Sequence, residues 1–110
     1  PRLRRLGLSA RAVGLAGAKA LARPGFAELR ALELQESRIG TQALAALAAS
    51  PHLRGLVELD LWMNEIADAA PLLDPAVFPD LAVCRLSVNP LPDAQVAALA
   101  ARRALQFDKF

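Results

Sequence analysis

Much of what chemistry usually requires is missing from this chain. It has a single cysteine and a single histidine, so an internal disulfide and a paired-histidine metal motif are both excluded. His52 follows Pro51 and has no cysteine, serine or second ligand at any motif spacing, which makes it a surface turn residue and not a general base. Cys-x-x-Cys pairs and Gly-rich phosphate loops are absent too, and with them the usual sequence signs of zinc, redox or nucleotide chemistry. No catalytic residue, cofactor or small-molecule substrate is expected. Nor does any apolar run approach the roughly 18 residues that a membrane-spanning helix needs. A signal peptide, a Cys-rich cap and an Asn-x-Ser/Thr sequon are likewise missing, and the lone thiol fits a reducing, cytoplasmic setting.

Charge offers little more. Thirteen basic and eleven acidic residues are interspersed and leave a net charge of +2. Arg2, Arg4 and Arg5 form one tight basic group and Arg102 with Arg103 another, each read first as solvated surface. Together with Arg11 and Arg30, the first group is the only material for a nucleic-acid contact, which is the least favoured reading.

What the chain does have is apolar character in phase. Hydrophobic residues make up 55% of it, mostly Ala and Leu, and they recur in a fixed phrase. The clearest copy is Leu56-x-x-Leu59-x-Leu61-x-x-Asn64-x-Ile66. It returns as Leu29-x-x-Leu32-x-Leu34-x-x-Ser37-x-Ile39 and as Leu81-x-x-Cys84-x-Leu86-x-x-Asn89-x-Leu91, with a weaker copy, Leu3-x-x-Leu6-x-Leu8-x-x-Arg11-x-Val13, at the start. The four copies begin at Leu3, Leu29, Leu56 and Leu81, at intervals of 26, 27 and 25 residues, and such periods mark stacked repeats. The whole chain, 1–110, is therefore one repeat domain. It starts inside a repeat, so it is expected to be a segment of a longer protein.

The phrase has a physical reading. In Leu-x-Leu, residues two apart share a face of a strand, so Leu59 and Leu61 point to a core while Glu58, Asp60 and Trp62 point away. Four parallel strands are predicted at residues 5–7, 31–33, 58–60 and 83–85, with Cys84 in a core leucine position. Asn64 and Asn89 follow their strands with amides that both donate and accept; Ser37 has less reach, and Arg11 departs from the pattern. Thr41, Asp68 and Asp93 stand where helices should begin and are of the types that cap N-termini. Helices are predicted near 15–23, 42–49 and 94–103, and the third connection, interrupted by Pro71, Pro75 and Pro79, is expected to hold only a short helix or turns. Phe26, Leu53 and Phe78 each precede a repeat by three residues and should plug the core. Phe107 and Phe110 share that separation, so Phe110 either opens a partial fifth repeat or helps to form an apolar cap.

These repeats resemble the ribonuclease-inhibitor-like class of leucine-rich repeats, and the phrase Ala46-Leu47-Ala48-Ala49-Ser50-Pro51-His52-Leu53 is similar to Ala-rich bacterial members. The resemblance implies an α/β fold: a right-handed solenoid, a horseshoe segment with a parallel sheet on the concave face and helices on the convex face. Protein–protein recognition through the concave face is the function it implies. The outward residues of that face are then the candidate contacts: Glu33, Gln35 and Glu36 on the second strand, Glu58, Asp60, Trp62 and Met63 on the third, and Arg85 on the fourth. Trp62, expected to be exposed beside Met63 and among carboxylates, has the makings of a binding hot spot. Its alternative role is to shield the sheet. A basic protein partner fits the carboxylates; the competing reading is a structural or regulatory segment that packs against neighbouring domains of its own parent chain.

Overall fold

The computed structural model describes residues 3–9, 12–102 and 105–108. It is an α/β structure with one parallel sheet of five strands in sequential order: β1 (Arg5–Gly7), β2 (Ala31–Glu33), β3 (Glu58–Asp60), β4 (Val83–Arg85) and β5 (Gln106–Asp108). The first four lie where Leu-x-Leu put them. Their middle residues pair across the sheet as Leu6, Leu32, Leu59, Cys84 and Phe107. A one-residue slip would turn this whole column into water, which is why the register repeats without drift. Leu32, Leu59 and Cys84 are buried, as are Leu34, Leu61 and Leu86 two positions further on.

β5 was not expected in this position. Phe110 lies outside the described residues, and the opening position of the last unit belongs to Leu105. Its N–H donates to the Arg102 carbonyl at 3.2 Å, repeating Leu29 to Phe26 at 3.0 Å, Leu56 to Leu53 at 3.3 Å and Leu81 to Phe78 at 3.0 Å. The three expected plugs sit in these same turns. Leu53 and Phe78 are buried, whereas Phe26 is half-buried against the core.

Asparagine side chains tie each loop to the one before it. Oδ1 of Asn64 accepts the N–H groups of Ser37 at 2.8 Å and Ile39 at 3.1 Å, while its Nδ2 donates to the Leu34 carbonyl at 2.7 Å. Asn89 repeats this on Asn64 and Ile66, with Nδ2 on Leu61. Ser37 keeps only the donor half: its hydroxyl reaches the carbonyls of Leu8 and Gln35 at 2.9 and 3.0 Å. The residue before each of these three polar anchors has a left-handed backbone, with φ of 51° at Glu36, 54° at Met63 and 60° at Val88.

Three helices return the chain: α1 (Gly14–Leu21), α2 (Gly40–Ala48) and α3 (Asp93–Ala100). They begin within two residues of the predicted starts and end one to three residues earlier. The capping expectation fails, since none of the three has a side-chain cap at its N-terminus. At α1 and α2 backbone bonds between units take that place, as the N–H of Gly14 donates to the Ser37 carbonyl and that of Gly40 to the Asn64 carbonyl. Both glycines have positive φ, which their lack of a Cβ permits. Thr41 Oγ1 instead accepts the N–H of Ala67, one unit ahead.

In the third connection the prolines leave a single 3-10 turn, Ala70–Leu73. Side chains strap it down. Gln95 accepts the Ala69 N–H and donates to Asp68, Asp68 accepts the Ala70 N–H, and Arg102 donates to the Leu72 carbonyl. Those two hydrogen bonds hold the Asp68 carboxyl below the usual carboxylate range, Gln95 contributing more. Helices α1 and α2 pack side by side, and α2 and α3 both touch the turn. Among the described residues no helix is long and apolar enough to cross a membrane.

Candidate interaction surface

Two outward columns flank the buried middle column of the sheet. One runs Arg5, Ala31, Glu58, Val83, Gln106; the other begins Gly7, Glu33, Asp60, Arg85. The structure brings four of the candidate contacts, Glu33, Glu58, Asp60 and Arg85, into one shallow depression, joined by Arg5 and Val83. Its free space, about 60 Å³, is far below the roughly 300 Å³ at which small-molecule pockets begin.

Electrostatically this depression is already balanced. The Arg5 guanidinium bridges two strands at once, donating to Glu33 at 2.9 Å and to Glu58 at 3.3 Å. The two carboxylates hold its proton more firmly than usual. Asp60 departs from expectation. Read as a solvated outward acid, it has a side chain only 6% exposed, covered by long neighbours from the strands on either side. Gln35 donates to its Oδ2, the Trp62 N–H donates to Oδ1 at 3.2 Å, and the Arg85 guanidinium stands 3.9 Å away.

Trp62 also corrects its expectation: it is half-buried, not exposed. It stands just past β3, where its carbonyl accepts the Glu36 N–H at 3.0 Å. Glu36 and Met63 leave the face altogether, because their left-handed backbones place them in the loops at the rim of the sheet. Met63 is 40% exposed there, and beside it, at the same motif position of the next loop, Val88 is 54% exposed. The two loops are adjacent, the Met63 N–H donating to the Ser87 carbonyl at 2.9 Å. Val88 was not among the candidate contacts. The signal was its column, which holds Glu36 and Met63 in the two preceding copies. Glu36, Arg38, Met63, Asn64 and Glu65 together line a dent at this rim.

A different feature occupies the helical side. Where the third connection has no long helix, an open groove of about 450 Å³ runs between α2 and the 3-10 turn, lined by Ala45, Ala48, Ala49, Ala70, Pro71, Asp74 and Val77. Cys84 lies fully buried on β4, and burial pushes its thiol up to about 12, so it has no nucleophilic form near neutral pH. His52 is half-buried in a turn whose backbone N–H donates to Ser50. Among the described residues no three His, Cys, Asp or Glu side chains come together as a metal site. Of the arginines proposed for nucleic acid, Arg4 is exposed, Arg5 is held by Glu33 and Glu58, Arg30 folds back onto the carbonyls of Glu28 and Leu29, and Arg2 and Arg11 lie outside the described residues. No protein-family model matches this sequence, and no curated protein matches it.

Proposed function

We propose that the chain is a leucine-rich repeat solenoid of the ribonuclease-inhibitor-like kind, and that it works in the cytoplasm as a protein-interaction module and not as an enzyme. The observation that carries this reading is the sheet itself: five strands in sequential order and one register, joined by loops tied through Asn64 and Asn89. Parallel strands stand about 4.8 Å apart while helices need about 8–10 Å, so a stack of this kind bends with its strands on the concave side. A concave face built from many short strands offers one side chain per strand per column, which suits recognition of an extended surface better than a reaction centre. Photo-crosslinking residues placed at Glu33 and Glu58 on the sheet and at Ala45 on α2 would test it in affinity captures from the source cells. Adducts from the sheet positions are expected. If Ala45 alone gave adducts, the sheet would not be the binding face.

The second reading, a structural or regulatory segment packed against other domains of its parent chain, draws support from Leu3 and Leu15, which are 46% and 37% exposed. Protection of these two leucines from solvent in a longer parent protein, with the sheet left open, would favour it.

A further inference from the structure

Resting on the interaction reading, we infer that the partner is anchored through an apolar side chain seated against Met63 and Val88 at the rim of the sheet, and not through a basic tract laid along its carboxylates. The charge accounting leads there. Of the acids on the sheet, Glu33 and Glu58 already share Arg5, and Asp60 is buried under Gln35 and Arg85 with the Trp62 N–H bonded to it. An incoming cation would have to displace one that the chain supplies to itself, in exposed positions where such pairs contribute little. Among the described side chains the face therefore has no unmet demand for positive charge.

The rim does have an unmet demand, for apolar contact. Met63 and Val88 are two of the four large apolar side chains exposed among the described residues, and the other two, Leu3 and Leu15, belong to the first unit of the stack. Their backbones add a second argument. A left-handed φ is unfavourable for any residue with a Cβ, and for a β-branched one such as valine it is a true outlier. Glycine or asparagine would fill the position with little strain. Holding valine there, with more than half of its surface in water, makes sense where the side chain is used. Beside Met63 stand Glu36, Arg38 and Glu65, charges of both signs. An apolar centre with a mixed polar rim is the usual anatomy of a contact hot spot. The occupant is then a protein segment that presents leucine, isoleucine, methionine or phenylalanine and needs no net charge.

Two acetylated, amidated hexapeptides probe this on the isotope-labelled full chain by NMR titration: alternating Ser-Leu and alternating Ser-Arg. The Ser-Leu peptide should move the amide signals of Met63, Val88 and Asn89 saturably. Its affinity should change less than about twofold between low and high salt, because screening acts on charges and not on apolar contact. Val88→Ser and Met63→Ser, both exposed changes with folding checked by the remaining spectrum, should each weaken binding about tenfold, some 1.4 kcal/mol; Glu33→Gln should not. Salt-sensitive binding of the Ser-Arg peptide at Glu33, Glu58 and Asp60 would overturn the apolar anchor and leave the interaction reading standing. Ser-Leu shifts centred on Ala45, Ala49 and Val77 would overturn it by moving the contact to the helical groove. Saturable shifts from neither peptide would sink the anchor and the sheet-face reading together.

Discussion

Within each three-residue strand the middle position and its two neighbours are under different constraints. The middle column is apolar in all five strands, from Leu6 to Phe107, while the flanking columns run through Arg, Ala, Glu, Val and Gln on one side and Gly, Glu, Asp and Arg on the other. Burial enforces the first: a polar side chain there would lose water without gaining a partner. The second is free to vary because each outward side chain meets water or its neighbours on the same face. Stability thus resides on the inward side and in the asparagine loops that lock it, and specificity resides outside. Substitutions chosen from each side can break or sharpen that division.

Asn64→Ala should have the largest effect. It is 1% exposed, and its removal strands the N–H groups of Ser37 and Ile39 and the carbonyl of Leu34 inside the structure. A loss of roughly 3 kcal/mol is expected, since each buried polar group left unpaired is worth about 1–3 kcal/mol. Denaturant midpoints measure it. A loss below that of an ordinary surface change would mean that water replaces the amide and that the loops do not lock the stack.

Cys84→Ser comes next, at about 1–3 kcal/mol, because a hydroxyl enters the inward column with no acceptor supplied for it. Its pH dependence is distinctive. The thiol lies near 9 in an unfolded chain and near 12 when buried, so the folded state holds its proton where the unfolded state has lost it. Stability from this group is complete below about pH 9 and declines as pH rises beyond it. The serine variant should lose that decline. A wild type with flat stability from pH 8 to about pH 10 would place Cys84 in contact with water, contrary to its burial.

The same division explains what could be read from the sequence. Inward positions are dictated by burial, so Leu-x-Leu located four strands to the residue and placed Cys84 in the core. β5 escaped because its unit opens at Leu105, 24 residues after Leu81, and Phe107, in the strand's middle position, follows it by two residues where the phrase has three. The expected caps at Thr41 and Asp93 failed, whereas Asp68 does accept the Ala70 N–H at the start of the 3-10 turn. The starts of α1 and α2 bond instead to the next unit's backbone, and no local sequence rule sees a partner some two dozen residues away. The burial of Asp60 depends on Gln35, just past β2, and Arg85 on β4, at sequence separations of 25 residues each way. Met63 stands among the candidate contacts but as a strand residue, and Val88 is not among them, since a left-handed residue that is neither glycine nor asparagine carries no turn signal.

On the outward side, Val88→Gly should raise stability by about 1 kcal/mol, at the low end of the roughly 1–3 kcal/mol stored by a strained left-handed residue, because glycine's greater freedom in the unfolded chain offsets part of the relief. A thermal melt gives the sign. Destabilisation would show that the Val88 side chain is packed against something in the free chain, and its role as an open contact would fall with it.

Arg5→Ala should change stability least of all, although Arg5 bridges Glu33 and Glu58 on the face. The Arg5 side chain is 57% exposed, and those of Glu33 and Glu58 are 41% and 42% exposed, so water solvates all three whether paired or not. Exposed pairs of this kind are also screened by salt. What the substitution should change is charge: Glu33 and Glu58 become uncompensated acids on the sheet. The variant should then acquire weak, salt-sensitive binding to the Ser-Arg peptide that the wild type lacks. A wild type and variant that bind it equally would mean that Arg5 does not occupy the two carboxylates in solution, and the balance of the outward columns would have to be drawn again.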